Sequence, residues 1–494
     1  MSHLAGVDRT QPSLFPEALD DYVAADHPVR VIDAFVASLD LGAVGFARAT
    51  PAVLGRPSYP PGALLRLYLY GYVNRVRSSR RLERETHRNV EVMWLLGQLR
   101  PDHKTIADFR RDHPEALRAV GRVFIRLCHE LELFGSALVA IDGTKLRADN
   151  SRERNWTAAA LARRQADLEA ALTRYLAELD AQDAREAAEP GTTDPALPEK
   201  LARLRERQAD YAALAAELAA SGEAQRSLTD PESRRMKVRG GTDVCYNAQI
   251  AVEGQHHLIV ADAVTNAVTD VHQLAPLARA AQAALGGAPL DIVADRGYHH
   301  AGQVQQCVAA GLTPYVPQPA TSKNARQGRF TKADFRYDAA QDAYRCPAGQ
   351  RLPYSCTETA PAPTPGQPGR PIRYYAHRPA CAACPQRPQC TTSAQGRRIA
   401  RYPDEALVEA MAARVRAHPE LARRRKSLVE HPFGTLKRAR DQGYFLLRGL
   451  RKVRGEFSLM TLAYNLTRVL QVLGVPVLLA VLRGRALPAA PAPS

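Results

Sequence analysis

Leu138-Val-Ala-Ile-Asp-Gly-Thr-Lys145 is a short apolar run, rich in β-branched residues, that closes on a carboxylate. Asp291-Ile-Val-Ala-Asp-Arg-Gly-Tyr298 repeats the pattern further along the chain. Each reads as a buried strand with an acid at its tip, Asp142 in the first and Asp295 in the second. Between them, the runs 243–252 and 257–264 read as paired strands joined at Glu253-Gly254. A helical pattern follows over 271–285, then a strand over 290–294, a helix over 302–310 and a last strand over 313–316. The order of strand, helical insertion, two strands, helix, strand, helix, strand predicts an α/β fold, a mixed sheet flanked by helices over residues 136–325.

Outward from that core the periodicity changes. Residues 1–135 place apolar side chains three and four apart, as in Arg30-Val-Ile-Asp-Ala-Phe-Val-Ala-Ser-Leu39 and Pro61-Gly-Ala-Leu-Leu-Arg-Leu-Tyr-Leu-Tyr70, which predicts an all-helical domain. The second run leads into Arg77, Arg80 and Arg81, a basic cluster suited to gripping DNA. Thr105 is the expected N-cap of a further helix. Over 157–226, the spacing of Leu161, Leu168, Leu172, Tyr175 and Leu179, and of Leu201, Leu204, Tyr211, Leu214 and Leu218, predicts an inserted antiparallel helical hairpin. Residues 326–400 are rich in Pro, Gly, Cys and Arg. Residues 401–475 return to helix, and 476–494 read as a disordered tail.

The chain has 494 residues and a net charge of +16, which favours a polyanionic partner. The start, Met1-Ser-His-Leu-Ala-Gly-Val-Asp8, lacks the pattern of a signal peptide. The most apolar stretch, 469–482, is broken by Gly474 and Pro476 and is too short to cross a bilayer. Eight cysteines do not make a disulfide scaffold at this length. No membrane contact and a cytoplasmic location are expected.

A third acid, Glu430 in Val429-Glu-His-Pro-Phe-Gly-Thr-Leu-Lys437, opens a basic helical stretch. Taken singly, an aspartate at a strand end is more often a cap or turn residue; the argument rests on the three together. Asp142, Asp295 and Glu430 brought into one pocket are hard oxygen ligands suited to Mg²⁺ or Mn²⁺. Arg424, Arg425 and Lys426 precede Glu430, Lys437, Arg438 and Arg440 follow it, and Arg296 follows Asp295. Cations in that number suit a groove for a DNA backbone. There is no Gly-x-Ser-x-Gly elbow and no phosphate loop ending in Gly-Lys-Ser/Thr, so nucleophilic hydrolase and nucleotide-loop chemistries are disfavoured. His431 reads as a packing histidine.

Ile141-Asp-Gly-Thr-Lys145, Asp230-Pro-Glu-Ser-Arg-Arg-Met236, Tyr246-Asn-Ala-Gln-Ile-Ala-Val252, Ala294-Asp-Arg-Gly-Tyr298 and the Glu430 segment run in the order found in the DDE-class insertion-sequence transposases, which the chain resembles over nearly its whole length. The resemblance implies a ribonuclease H-like core and a catalytic triad at Asp142, Asp295 and Glu430, with Lys437 as the basic residue after the glutamate. It also implies cleavage at element ends, joining of 3′-hydroxyls to target double-stranded DNA, and a homo-oligomer on DNA. Where related transposases carry a Tyr and an Arg before the glutamate, this chain has Lys426 in place of the Arg and no Tyr. Two other functions fit the same residues: a catalytically inactive or domesticated DNA-binding protein, and a metal-dependent nuclease that cuts without joining.

Cys346, Cys381, Cys384 and Cys390 supply four thiolates with one Cys-x-x-Cys knuckle, a set that suits a structural Zn²⁺ in a small zinc-ribbon-like insertion. Cys356 and His377 are alternative ligands. Cys128, Cys245 and Cys307 lie in apolar runs and read as core.

Overall fold

The computed structural model describes residues 18–49, 58–151, 154–186, 197–223, 225–319, 323–360 and 369–484. Six helices come first: α1 (Pro28–Ala37), α2 (Pro61–Val73), α3 (Ser79–Arg88), α4 (Val90–Leu96), α5 (His103–Asp112) and α6 (Pro114–Glu130). The N-cap of α5 is Asp102, whose carboxylate accepts from the Thr105 N–H at 2.8 Å; Thr105 itself lies inside the helix. Next come β1 (Leu138–Arg147), β2 (Asn155–Thr157), α7 (Ala158–Glu186), α8 (Leu197–Ser221) and β3 (Gln225–Ser227). Then follow β4 (Arg234–Val238), β5 (Gly241–Glu253), β6 (Ile259–Thr265), α9 (Leu274–Ala284), β7 (Asp291–Ala294), α10 (Ala301–Ala309) and β8 (Thr313–Tyr315).

The main sheet runs β4-β5-β1-β7-β8, with β6 paired to β5 on the edge away from β1. β1, β7 and β8 are parallel to one another, while β5 is antiparallel to β1 and β6 antiparallel to β5. Alternation divides its apolar residues between two cores. Val139, Ile141, Ala251, Ile292 and Ala294 pack under α9 and α10. Leu138, Ala140, Ile250, Val252 and Val293 belong to a larger core on the opposite face.

That larger core also holds α1 to α6 and the last helices of the chain, α15 (Pro419–Gly434), α16 (Leu450–Leu473) and α17 (Val475–Leu482). The opening helices therefore share one core with the sheet and the closing helices. Tyr68 and Tyr72 are buried in the same core as Val453 and Phe457 of α16. At its centre Glu456 is wholly buried, and Arg77 donates to it at 2.9 Å while Arg110 lies 3.9 Å away. The expected disordered tail is corrected over 476–482: α17 buries Leu478 and Leu479. Residues 485–494 lie outside the described part. Among the described residues no single helix is long and apolar enough to cross a membrane.

The insertion at 326–400 contains a five-stranded antiparallel sheet. Its strands β9 (Arg336–Asp338), β10 (Ala343–Arg345), β11 (Arg351–Ala360), β12 (Arg370–Ala376) and β13 (Arg398–Arg401) are joined neighbour to neighbour. Short helices α11 (Lys323–Arg326), α12 (Arg378–Ala382) and α13 (Arg387–Cys390) accompany it, and α14 (Glu405–Ala417) leads back to α15. Phe335, Tyr344, Leu352, Tyr375 and Ile399 give the sheet its own core. The hairpin α7–α8 leaves the body at the β2–β3 ribbon, and Leu161, Leu214 and Leu218 form a small core at its base. Asp230, buried just after the hairpin returns, accepts from the Tyr246 hydroxyl at 2.8 Å and the Gly449 N–H at 3.2 Å.

Candidate active site

Asp142 lies in the interior of β1, not at its tip. The residues after it keep pairing with β5, from Gly143 opposite Gln249 to Arg147 opposite Cys245. On the other side β1 pairs with the shorter β7, in a register that sets Ile141 beside Ala294. The next rung holds Asp142 and Asp295, and strand alternation turns both toward the face of Ala140 and Val293. Asp295 directly follows β7 and caps a 3₁₀ turn, its Oδ1 accepting from the Gly297 N–H at 2.8 Å. Two carboxylates from neighbouring parallel strands therefore share one face of the sheet.

Only 24% of the Asp142 side chain is exposed. Its Oδ1 accepts from the Gly143 N–H at 2.8 Å and its Oδ2 from Arg425 Nη1 at 3.2 Å. Burial pushes its pKa up to about 6; the Arg425 guanidinium opposes the rise and the Asp295 charge adds to it. Lys437 reaches the same strand, donating to Thr144 Oγ1 and, at 3.2 Å, to the Lys145 carbonyl. Burial lowers its pKa. Asp295, Arg296 and Arg425 line a cleft of about 390 Å³ together with Tyr315 and His418.

Glu430 is placed differently. Leu428, Val429 and Pro432 are the buried residues of α15, and Arg425 sits on that side. Glu430 follows Arg425 by five residues, about 140° around a regular helix. Its side chain is 65% exposed, with Lys426 Nζ 3.7 Å away. Five residues of π-helix, Thr435–Ala439, then separate it from the segment carrying Arg440. Among the described residues no three or more His, Cys, Asp or Glu side chains are placed to hold a metal ion. The three acids do not meet as a ready-made ligand set; Arg425 occupies the place beside Asp142.

The other cations divide sharply. Arg296, Arg424, Lys426 and Arg438 are exposed around this face, with Arg424 donating to the Gly254 carbonyl at 3.3 Å. Arg440 is buried, donates to Thr467 Oγ1 at 2.6 Å and has its pKa lowered to about 10 by burial, which removes it from an open backbone groove. Arg77 is also buried, held by Glu456 and by the carbonyls of Asp441 and Tyr444. Arg80 and Arg81 stand exposed on α3.

One residue with no signal in the sequence joins this site. Asp270, in the loop between β6 and α9, accepts from Asn247 Nδ2 at 2.6 Å, Gln249 Nε2 at 2.7 Å and Lys145 Nζ at 3.3 Å. In the sequence it stands just before the helical pattern of 271–285, where an aspartate reads as an N-cap, and nothing local marks its partners on β1 and β5. The close packing here also explains Gly143: a side-chain carbon there would run into the Gln249 amide and come within 3.0 Å of Asp270 Oδ1.

The donor chemistry at Asp142 and Asp295 fits a hard divalent cation, which takes one or two carboxylates and fills its remaining positions with water and phosphate oxygens. The raised pKa of Asp142 marks a buried charge that Arg425 only partly balances. In the insertion, Cys346, Cys381, Cys384 and Cys390 line one void of about 30 Å³. The Cys390 thiol is pushed up by burial and by the other three sulfurs, although Arg397 opposes this. Cys356 lies apart on β11, and His377 precedes α12. Cys128, Cys245 and Cys307 are buried.

Two family models match the chain. Residues 17–112 match one described as a transposase domain (DUF772), and residues 345–470 match one described as a transposase DDE domain. No curated protein and no solved structure matches it.

Proposed function

The chain belongs to the DDE-class insertion-sequence transposases, and from that premise we propose that it binds element ends, cleaves their strands and joins the 3′-hydroxyls to target DNA. The observation that carries this reading is the pairing of Ile141 with Ala294, which brings the next residue of each strand, Asp142 and Asp295, close enough for their charges to act on one another. The strand order supports a ribonuclease H-like core, with three parallel strands and two antiparallel ones after the first. Asp142, Asp295 and Glu430 would hold Mg²⁺ or Mn²⁺, and Glu430 has to turn inward from the exposed side of α15 to join them. A pair of such ions, when bound, supplies the Lewis acidity for in-line phosphoryl displacement by water or a 3′-hydroxyl.

The chain's own residues supply the rest. Arg425 holds Asp142 ionised in metal-free protein and is freed when Asp142 takes another partner. Lys437, anchored on β1, presents its ammonium to a phosphate lying over Thr144. Arg296, Arg424, Lys426 and Arg438 provide the positive margin along which a DNA backbone lies. Synapsis of two ends calls for at least two protomers. Zinc at the four cysteines would relieve the repulsion that crowds Cys390 and brace the insertion.

A strand-transfer assay with pre-cut ends separates a binder, a cutter, and a cutter that also joins. Asp142→Ala, Asp295→Ala and Glu430→Ala should each abolish cleavage and leave end binding intact. Full cleavage by any one of them would remove that residue from the triad.

A further inference from the structure

Asp270 is held by side chains of β1 and β5, on the face of Gly143 and Lys145 rather than that of Asp142. Its three donors, Lys145, Asn247 and Gln249, lie on alternate rungs of β1 and β5, with Lys145 opposite Asn247 and Gly143 opposite Gln249. All three donate to Oδ1. On the other side, a side-chain carbon at Gly297 would lie 3.9 Å from Oδ2 and 2.9 Å from Asp295 Oδ1. The carboxylate therefore lies close to Gly143, which follows Asp142, and faces Gly297, in the turn capped by Asp295.

Gln249 transmits this contact. Its amide is wholly buried and has one oxygen and one NH₂ to place. A carboxylate accepts only, so Asp270 fixes the NH₂ toward itself at 2.7 Å, and the Asn247 Oδ1 takes the same NH₂ at 2.9 Å. The carbonyl oxygen is left facing the hydroxyl of Tyr298, which donates to it. Tyr298 is buried and is the last residue of the turn that Asp295 caps. A continuous chain runs from Asp270 through Gln249 to Tyr298 and so to Asp295.

We propose that Asp270 is a positioning residue: it sets the orientation of the Gln249 amide and thereby locks the Asp295 turn in register with Asp142. Its catalytic consequence rests on the function proposed above, but its structural consequence does not. Hydrogen exchange on metal-free protein tests the second directly. In Asp270→Ala the amides of 295–300 and 142–145 should exchange about tenfold faster or more, while distant core amides keep their protection. Asp270→Asn, whose amide oxygen still accepts from Gln249, should exchange as wild type does. Tyr298→Phe breaks the same chain at its far end and should loosen 295–300 in the same way.

Cleavage of element ends is the second readout. Asp270→Ala should cut about 10- to 100-fold more slowly with unchanged end affinity, the usual effect of losing a group that orients metal ligands. Asp270→Asn should restore most of the rate. Unchanged exchange in Asp270→Ala overturns the inference whatever the cleavage result. An Asn variant as inactive as the Ala variant, with equal loss of Mn²⁺ binding, also overturns it, because Asp270 would then be a ligand itself. Faster exchange in a protein that never cuts DNA upholds the positioning role and rejects the catalytic reading.

Discussion

At neutral pH Asp142 keeps a charge that burial opposes. Its folded pKa, about 6, lies above the usual 3.8, so between those values the folded chain holds more proton than the unfolded one. Stability therefore falls as pH rises through that window, and the full cost stands above it. Two pKa units correspond to about 3 kcal/mol before solvent screening. Asp142→Asn should accordingly raise the Tm of metal-free protein at pH 7.5 and give no gain at pH 4. Equal melting of the two proteins at pH 7.5 would mean the carboxylate is not under this load. Asp142, Asp295 and the basic residues near Glu430 were legible because each follows a strong local pattern. Arg77 was not: its partner Glu456 lies 379 residues away, and nothing in an arginine-rich segment marks which guanidinium turns inward. Arg77→Met should cost about 3–5 kcal/mol by stranding the buried Glu456 charge. Arg80→Ala and Arg81→Ala should leave stability within about 0.5 kcal/mol. Each should also lower the salt slope of DNA binding by about one unit, if that side chain meets a phosphate.

At the scale of the element, apolar alternation located β5, β6 and β7 within a few residues, and the helical stripes located α9 and α10. The facing of α15 was hidden. Which side of a basic helix packs inward depends on Leu428, Val429 and Pro432 meeting a sheet that the local sequence does not describe. That choice brings Arg425 to Asp142 and leaves Glu430 outside. Pro432 inside α15 and the π-helix just after it interrupt the regular hydrogen-bond ladder around the acid, features that collect where a helix must adjust for function. The cysteine-rich insertion reads from its sequence as a small zinc-ribbon-like unit, but its individual strands are not legible there because they are short and punctuated by Pro and Gly. Purified protein should carry about one zinc per chain if the four thiols close on a cation. Cys384→Ser should lower that content and loosen β11–β12 to proteolysis. Metal-free protein with an equally protected insertion would leave the cysteines as ordinary thiols.

Across the whole molecule, the opening helices and the closing ones make one core with the sheet. Glu456 of α16 and the two arginines of the opening region, Arg77 and Arg110, pin that union from its two ends. The basic surface of α3 and the acids of β1 and β7 are therefore parts of one body rather than beads on a linker. Segment-by-segment reading divides such a chain at changes of composition and cannot see that α16 threads between the first helices and the sheet.

The neck of the α7–α8 arm has a practical consequence. Asn155–Thr157 and Gln225–Ser227 are partners on three successive rungs, so the arm departs and returns at a single point. Antiparallel partners stand about 5 Å apart, a gap that a two-residue hairpin loop spans. Excising 158–224 and splicing in Asn-Gly should give a trimmed protein whose Tm stays within a few degrees of the parent. Collapse of its fold would instead make the arm a brace for the body; survival would make it a detachable boom, open to swapping between relatives.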